Sequence, residues 1–273
     1  VDLDAQGHVN NTLIVDYLQE ARVRYFASSP ATRSLTTDGV VVVAHQVEYH
    51  APVDFSREPL RVEVGIDEVG GSKIAIGYDL YHAGRSVATA RSLVCAFDLG
   101  ENRPRRLPEA PRSALRDVAA GWPPLRGLGA HEIAGRYHVH PVSVRWTDQD
   151  VYGHVNNVRF FDYVAEARIH MTTDADASAA RMGAAAGVGH LWLIARQDVE
   201  YLRQVRYRPE TYEVRTAVAR IGRTSVTLVA EIHDPVADAV CARAHTVLVC
   251  ADTAGRPVEL PAALVANLGA YTL

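Results

Sequence analysis

The chain has 273 residues, 48% of them apolar, with a formal net charge of −4 at pH 7 and a sequence pI near 6.3. That apolar share can fill a core, which excludes a disordered chain, and the mild acidity excludes any global attraction to nucleic acid or anionic lipid. No run approaches the ~18 apolar residues of a membrane span, and Cys95, Cys241 and Cys250 are too few and too scattered for a disulfide framework or a zinc site. The expectation is a cytoplasmic protein with reduced thiols and with no cofactor, metal, nucleic-acid partner or membrane partner.

In chain order, a polar loop rich in Gly and Asn comes first. From Thr12 to about Ala27 there is no Pro or Gly, and Ile14, Leu18, Ala21 and Tyr25 recur at three- and four-residue steps, which predicts a helix with Asn11 as its cap. Runs rich in β-branched residues then predict strands at Val40–His50, Leu60–Glu68, Lys73–His82 and Ser86–Asp98, with turns at Gly70-Gly71 and Gly84. Residues 101–135 carry Pro104, Pro108, Pro111, Pro123 and Pro124 and read as a linker with a short helix near Ser113–Ala120. A strand over Tyr137–Trp146 follows, then a second helix from Val158 to about Met171 capped by Asn157. The last predicted strands are His190–Tyr201, Thr211–Ile221, Ser225–Asp234 and Ala239–Ala251.

The second half repeats the first. Residues 2–22 (DLDAQGHVNNTLIVDYLQEAR) and 148–168 (DQDVYGHVNNVRFFDYVAEAR) share 12 of 21 positions without a gap, far above chance. Val47-Glu48-Tyr49 answers Val199-Glu200-Tyr201 further along. The domains implied are residues 1–100, the linker 101–135, and residues 136–273. The strand that precedes the second helix has no counterpart before Val1, so about ten further residues are expected upstream, enough for one strand.

A long helix followed by antiparallel strands is an α+β arrangement. The motif Asp-x-x-Gly-His-Val-Asn-Asn, followed by Tyr and then Glu-Ala-Arg, resembles the hotdog-fold thioesterases of the 4-hydroxybenzoyl-CoA and acyl-ACP thioesterase group. Arg145 to Asn157 resembles the signature loop of that group almost entire. The resemblance implies two tandem hotdog domains, each a sheet wrapped around one central helix, forming an intramolecular pseudodimer with its site at the junction of the two units. Further homo-oligomers fit the resemblance too, but no residue pattern fixes a number.

Its activity would be hydrolysis of an acyl thioester, acyl-CoA or acyl-ACP. The reactive carboxylate it implies falls at Asp4 and Asp150, acting as general base on water or as nucleophile. Gly7 and Gly153 free the backbone to enter each helix sharply, so the amides of Gly7–Val9 and Gly153–Val155 are the expected oxyanion donors. His8 and His154 would donate to the same oxygen or orient water, and Asn10 and Asn156 would position that water. Arg203, Arg206 and Arg208 are candidates for the phosphates of CoA. Glu20 and Glu166 are expected to pair locally with Arg22 and Arg168, and His45, His138 and His140 show no metal-ligand spacing.

Two readings compete. A hotdog dehydratase spaces its Asp and His by four residues, usually with a Pro, whereas three residues intervene here in both copies and none is Pro. A non-catalytic acyl-thioester binding protein would have less use for intact Asp and His in both copies. Plant acyl-ACP thioesterases carry Asn where this chain has Gln6 and Tyr152, and a Glu on the next strand that this chain lacks, so their mechanism does not transfer residue by residue.

Overall fold

The computed structural model describes residues 3, 7–175 and 190–273. They form two compact units, one of residues 9–127 and the other of residues 128–273 with Leu3, Gly7 and His8. The first unit runs α1 (Asn11–Ala27), β1 (Val40–Tyr49), β2 (Arg61–Val69), β3 (Lys73–His82), β4 (Arg85–Asp98), a short β5 (Arg103–Pro104) and α2 (Glu109–Asp117). Its antiparallel sheet has the order β2-β3-β4-β1, with β5 on β4. Alternation along β3 sends Ile74, Ile76, Tyr78 and Leu80 inward, each no more than 1% exposed. The helix α1 buries Ile14, Val15, Leu18 and Phe26, and each such side chain contributes roughly 1.5–3 kcal/mol. Arg22 goes inward with them and donates from Nη1 to the Tyr78 hydroxyl at 3.4 Å.

The second unit runs β6 (His138–Val142), α3 (Arg159–Ala175), β7 (Leu191–Tyr201), β8 (Tyr212–Ile221), β9 (Ser225–Asp234), β10 (Ala239–Ala251) and α4 (Ala262–Leu268). Its sheet has the order β7-β10-β9-β8-β6, again antiparallel, with β6 at an edge. Met171 and Ala175 of α3 meet Val218, Leu228, Leu248 and Cys250 from the sheet, and Leu260, Leu264 and Leu268 close that core. Asn267 Nδ2 donates to the Ala175 carbonyl at 2.5 Å, which ties α4 to the end of α3.

Three details differ from the sequence-based expectation. The strand expected to reach Trp146 ends at Val142 and gives way to a single 3-10 turn over Trp146–Asp148. The cause is the Asp148 carboxylate, which takes the Arg145 amide and folds the chain back. α2 begins at Glu109 rather than Ser113, because Pro111 lies in the first turn, where no intrahelical N–H is needed. The small helix α4 is additional, signalled only by Leu260, Leu264 and Leu268 at four-residue steps.

The Pro-rich segment is built into the first unit as far as Gly127. Gly65 pairs with Gly77 across β2 and β3, and the Trp122 indole lies over both. A Cβ on Gly65 would stand 2.6 Å from the indole, and one on Gly77 would overlap it. Arg91 covers the indole at 5.0 Å and donates to the Pro123 carbonyl at 2.7 Å, while Asp67 accepts the Trp122 amide at 2.8 Å. Gly77→Ala is therefore expected to lift Trp122 off the sheet and cost about 1–3 kcal/mol, the usual penalty of overpacking. Urea unfolding followed by Trp fluorescence measures both effects.

Candidate active site

The loop before α3 is closed by its own backbone. Gln149 bridges to Val155, the Asp150 amide donates to the His154 carbonyl at 2.7 Å, and the Gly153 amide donates to the Asp150 carbonyl at 3.1 Å. Gly153 sits at φ +74° and Gly7 in the first loop at φ +83°, a region that L side chains rarely adopt. Space is not the constraint there, since a Cβ at either glycine would meet nothing within 4 Å.

Asp150 is half-buried at the head of this loop. Its Oδ1 accepts the amides of Tyr152 at 2.9 Å and His154 at 3.3 Å. Its Oδ2 takes no hydrogen bond, and neither oxygen joins an ion pair, among the described residues. Asp4 of the first loop lies outside the described residues.

Asp148, two residues earlier, was not expected to matter. It is 1% exposed and accepts from the Arg145 amide at 2.9 Å, from Arg145 Nη2 at 2.9 Å and from the Tyr163 hydroxyl at 2.7 Å. Its carbonyl takes the Asn156 amide at 2.8 Å. Burial alone would raise its pKa, but the hydrogen bonds from Arg145 and Tyr163 hold it below the usual carboxylate range. Burial first and the hydrogen bond to the Asp148 carboxylate second push the Tyr163 phenol well up. The sequence signal was present in the Asp2/Asp148 and Tyr17/Tyr163 identities of the repeat.

Three bonds recur in both halves. The Val9 and Val155 amides donate to the Val53 and Val205 carbonyls at 2.9 and 2.8 Å. The Tyr49 and Tyr201 hydroxyls donate to the carbonyls of Asn11 and Asn157 at 3.2 and 2.9 Å. Asn10 and Asn156 accept the Thr12 and Val158 amides on Oδ1 at 3.2 and 3.1 Å. The last pair corrects the capping assignment. Asn10, not Asn11, caps α1, and Asn156 makes the same turn before α3 in place of Asn157. α1 thus starts one residue earlier than periodicity suggested, at Asn11, and α3 one residue later, at Arg159.

Further expectations change with this geometry. In the second loop the amides of Gly153, His154 and Val155 are spent on Asp150 O, Asp150 Oδ1 and Val205 O, and Val9 is spent likewise in the first. These amides, expected as oxyanion donors, are thus engaged within the protein. Arg208 is bound through Nη1 and Nη2 to Asp234 at 2.9 and 2.6 Å and lies over the Tyr212 ring, so its guanidinium is already held by a carboxylate. Arg203 and Arg206 are exposed. Glu20 and Glu166 pair with neither Arg22 nor Arg168 among the described residues, because a two-residue step places them on different helix faces.

Arg206 reaches the loop instead. Its Nη2 lies 3.3 Å from His154 Nε2. A guanidinium only donates, so Nε2 accepts and the imidazole proton sits on Nδ1. Burial first and the Arg206 charge second lower the His154 pKa, against a smaller upward pull from Asp150.

Tandem α+β halves, each an antiparallel sheet with one long helix, define a double-hotdog protein. The model of the thioesterase-like superfamily matches residues 1–116 and 144–268, and the chain belongs to that superfamily. A search of curated proteins returns no match. Among solved structures, the chain is similar to a putative oleoyl thioesterase from Lactobacillus plantarum at TM-score 0.71 and 17% identity, covering 95% of this chain and 93% of that one. It is similar to the 12:0-ACP thioesterase from Umbellularia californica at TM-score 0.69 and 18% identity, covering 91% and 93%. For an acyl-ACP thioesterase from Bacteroides thetaiotaomicron the values are 0.66 and 14%, covering 90% and 93%. At these identities the likeness establishes the fold.

Two outcomes follow. Tyr163→Phe removes a donor from a buried carboxylate and is expected to cost about 1.5–3 kcal/mol in urea unfolding at pH 7. Because the folded pKa of Asp148 lies below the unfolded value, its contribution is complete above about pH 4 and lost as pH falls through the folded value. In Tyr163→Phe that loss begins at higher pH. Arg206→Gln removes a neighbouring positive charge, so the His154 imidazole is expected to titrate at higher pH in an NMR titration than in the wild type.

Proposed function

We propose that the chain hydrolyses acyl thioesters, acyl-CoA foremost, to free acid and thiol, with Asp150 as its reactive carboxylate. The observation that carries this reading is the Asp150 side chain itself. One oxygen is fixed by two loop amides and the other is left without a hydrogen bond among the described residues, in a chain of the thioesterase-like superfamily. Oδ2 would take a proton from water as that water adds to the thioester carbon, or would itself attack and form a mixed anhydride that water then opens. In either route the C–S bond breaks and the thiol leaves with a proton.

Charge developing on the carbonyl oxygen needs donors. With the loop amides spent, His154 Nδ1–H and the Asn156 carboxamide N–H supply them on this reading. Asp4, His8 and Asn10 would hold the same roles in the first loop, beside Gly7. Arg203 and Arg206 are exposed cations suited to the phosphates of CoA. The fold neighbours include proteins named for acyl-ACP, so an acyl carrier protein is the second carrier to test.

Thiol release from a chain-length panel of acyl-CoA and acyl-ACP substrates identifies both acyl group and carrier. Asp150→Asn is expected to lower kcat/KM at least about 100-fold, the scale of general-base catalysis, and Asp4→Asn reads the share of the first loop. A double variant as fast as wild type would end the carboxylate mechanism. Tight binding of the whole panel without turnover would make the protein a binder.

A further inference from the structure

We propose that His140, Glu166 and His170 form a binding site for one divalent transition-metal ion, zinc foremost, on the second unit. One ligand atom from each of the three side chains lies within 4.8 Å of the other two. Glu166 and His170 stand one turn apart on α3 and so share a face. His140 comes from β6, and its ring stacks on His170 at 4.2 Å between centroids and 24° between planes. The site therefore joins the edge strand β6 to the helix beside it.

The donor set selects the ion. Two imidazoles and one carboxylate suit zinc and its neighbours, whereas magnesium and calcium take oxygen. Three protein ligands with a fourth position for water is a common zinc arrangement. Tetrahedral bonds of about 2.0–2.2 Å put ligand atoms about 3.3–3.6 Å apart, so the trio has to close by up to about 1.5 Å. Glu166 and His170 are exposed and can turn to do so.

Neighbouring groups are otherwise engaged. His138, two residues back on β6, holds Asp174 at 3.0 Å through Nε2, so that carboxylate is not a fourth ligand. The first half cannot copy the site. Glu20 answers Glu166, but Arg24 stands where the second half has His170. The site belongs to the second copy alone and does not depend on the thioesterase reading.

The test is calorimetric titration of the chelator-stripped full chain with zinc chloride, beside His140→Ala, His170→Ala and His138→Ala. Circular dichroism confirms that each variant keeps its fold, and the exposed His170 is the safest of the three in that respect. One ion per chain is expected, weakened about tenfold or more in His140→Ala and His170→Ala, since even outer-sphere partners of a metal contribute that much. His138→Ala is expected to bind as wild type does. The proposal is overturned if wild type binds no single equivalent, if the two ligand variants lose less than that, or if His138→Ala loses as much.

Discussion

A carboxylate taken out of water has to be matched by donors or it destabilises the fold that holds it. Asp148 meets that demand with one partner before it in sequence, Arg145, and one after it, Tyr163 on α3. The two partners belong to different elements, so satisfying one buried charge also fixes the end of β6 against the first turns of the helix. The Asn156 amide on the Asp148 carbonyl completes the frame. Asp150 lies inside it, so its placement follows from the residue two positions earlier.

Across the two halves the framework has been kept more closely than the chemistry around it. The amide from the loop valine, the Asn turn and the Tyr hydroxyl on the following Asn carbonyl are the same three bonds twice. Each satisfies a backbone group at a helix start, where intrahelical partners are lacking, so each is costly to lose. Side chains near them carry no such constraint. At the position of Arg206, counted from the shared Val-Glu-Tyr, the first half has Asp54, and at the position of Asp234 it has His82. An opposite charge at one matched position and a histidine in place of a carboxylate at the other mean that equal folds need not give equal reactivity.

Apart from β6, the long strands were legible to within one or two residues because alternation and Gly turns set their limits, as at β3 and β9. The positive φ of Gly7 and Gly153 was legible as well, since the motif places glycine where a sharp entry is needed. The caps were not, because either Asn of Asn10-Asn11 can start a helix and only the Asx turn decides between them. The Glu–Arg pairs failed for a geometric reason visible in hindsight, as Arg22 turns inward to Tyr78. Arg208 and His140 were out of reach for another reason. Their neighbours Asp234 and Glu166 are each 26 residues away, and sequence spacing carries no information about contacts between distant elements.

The fate of the loop amides bears most directly on mechanism. A helix start offers outward N–H groups, and a substrate oxygen is one claimant on them. Here the carboxylate of Asp150 claims two, Tyr152 and His154, and the bridging carbonyls claim others. Amides spent in this way fix the plane of the carboxylate, which suits a base or nucleophile that must be held in one orientation. They also hand the developing oxyanion, on the proposed reading, to side chains that titrate or turn. His154 then becomes the sensitive element, because its donor Nδ1–H depends on Arg206 holding the opposite nitrogen. Since the first half has Asp54 where the second has Arg206, the two loops would answer pH differently even if both hydrolyse the same thioester.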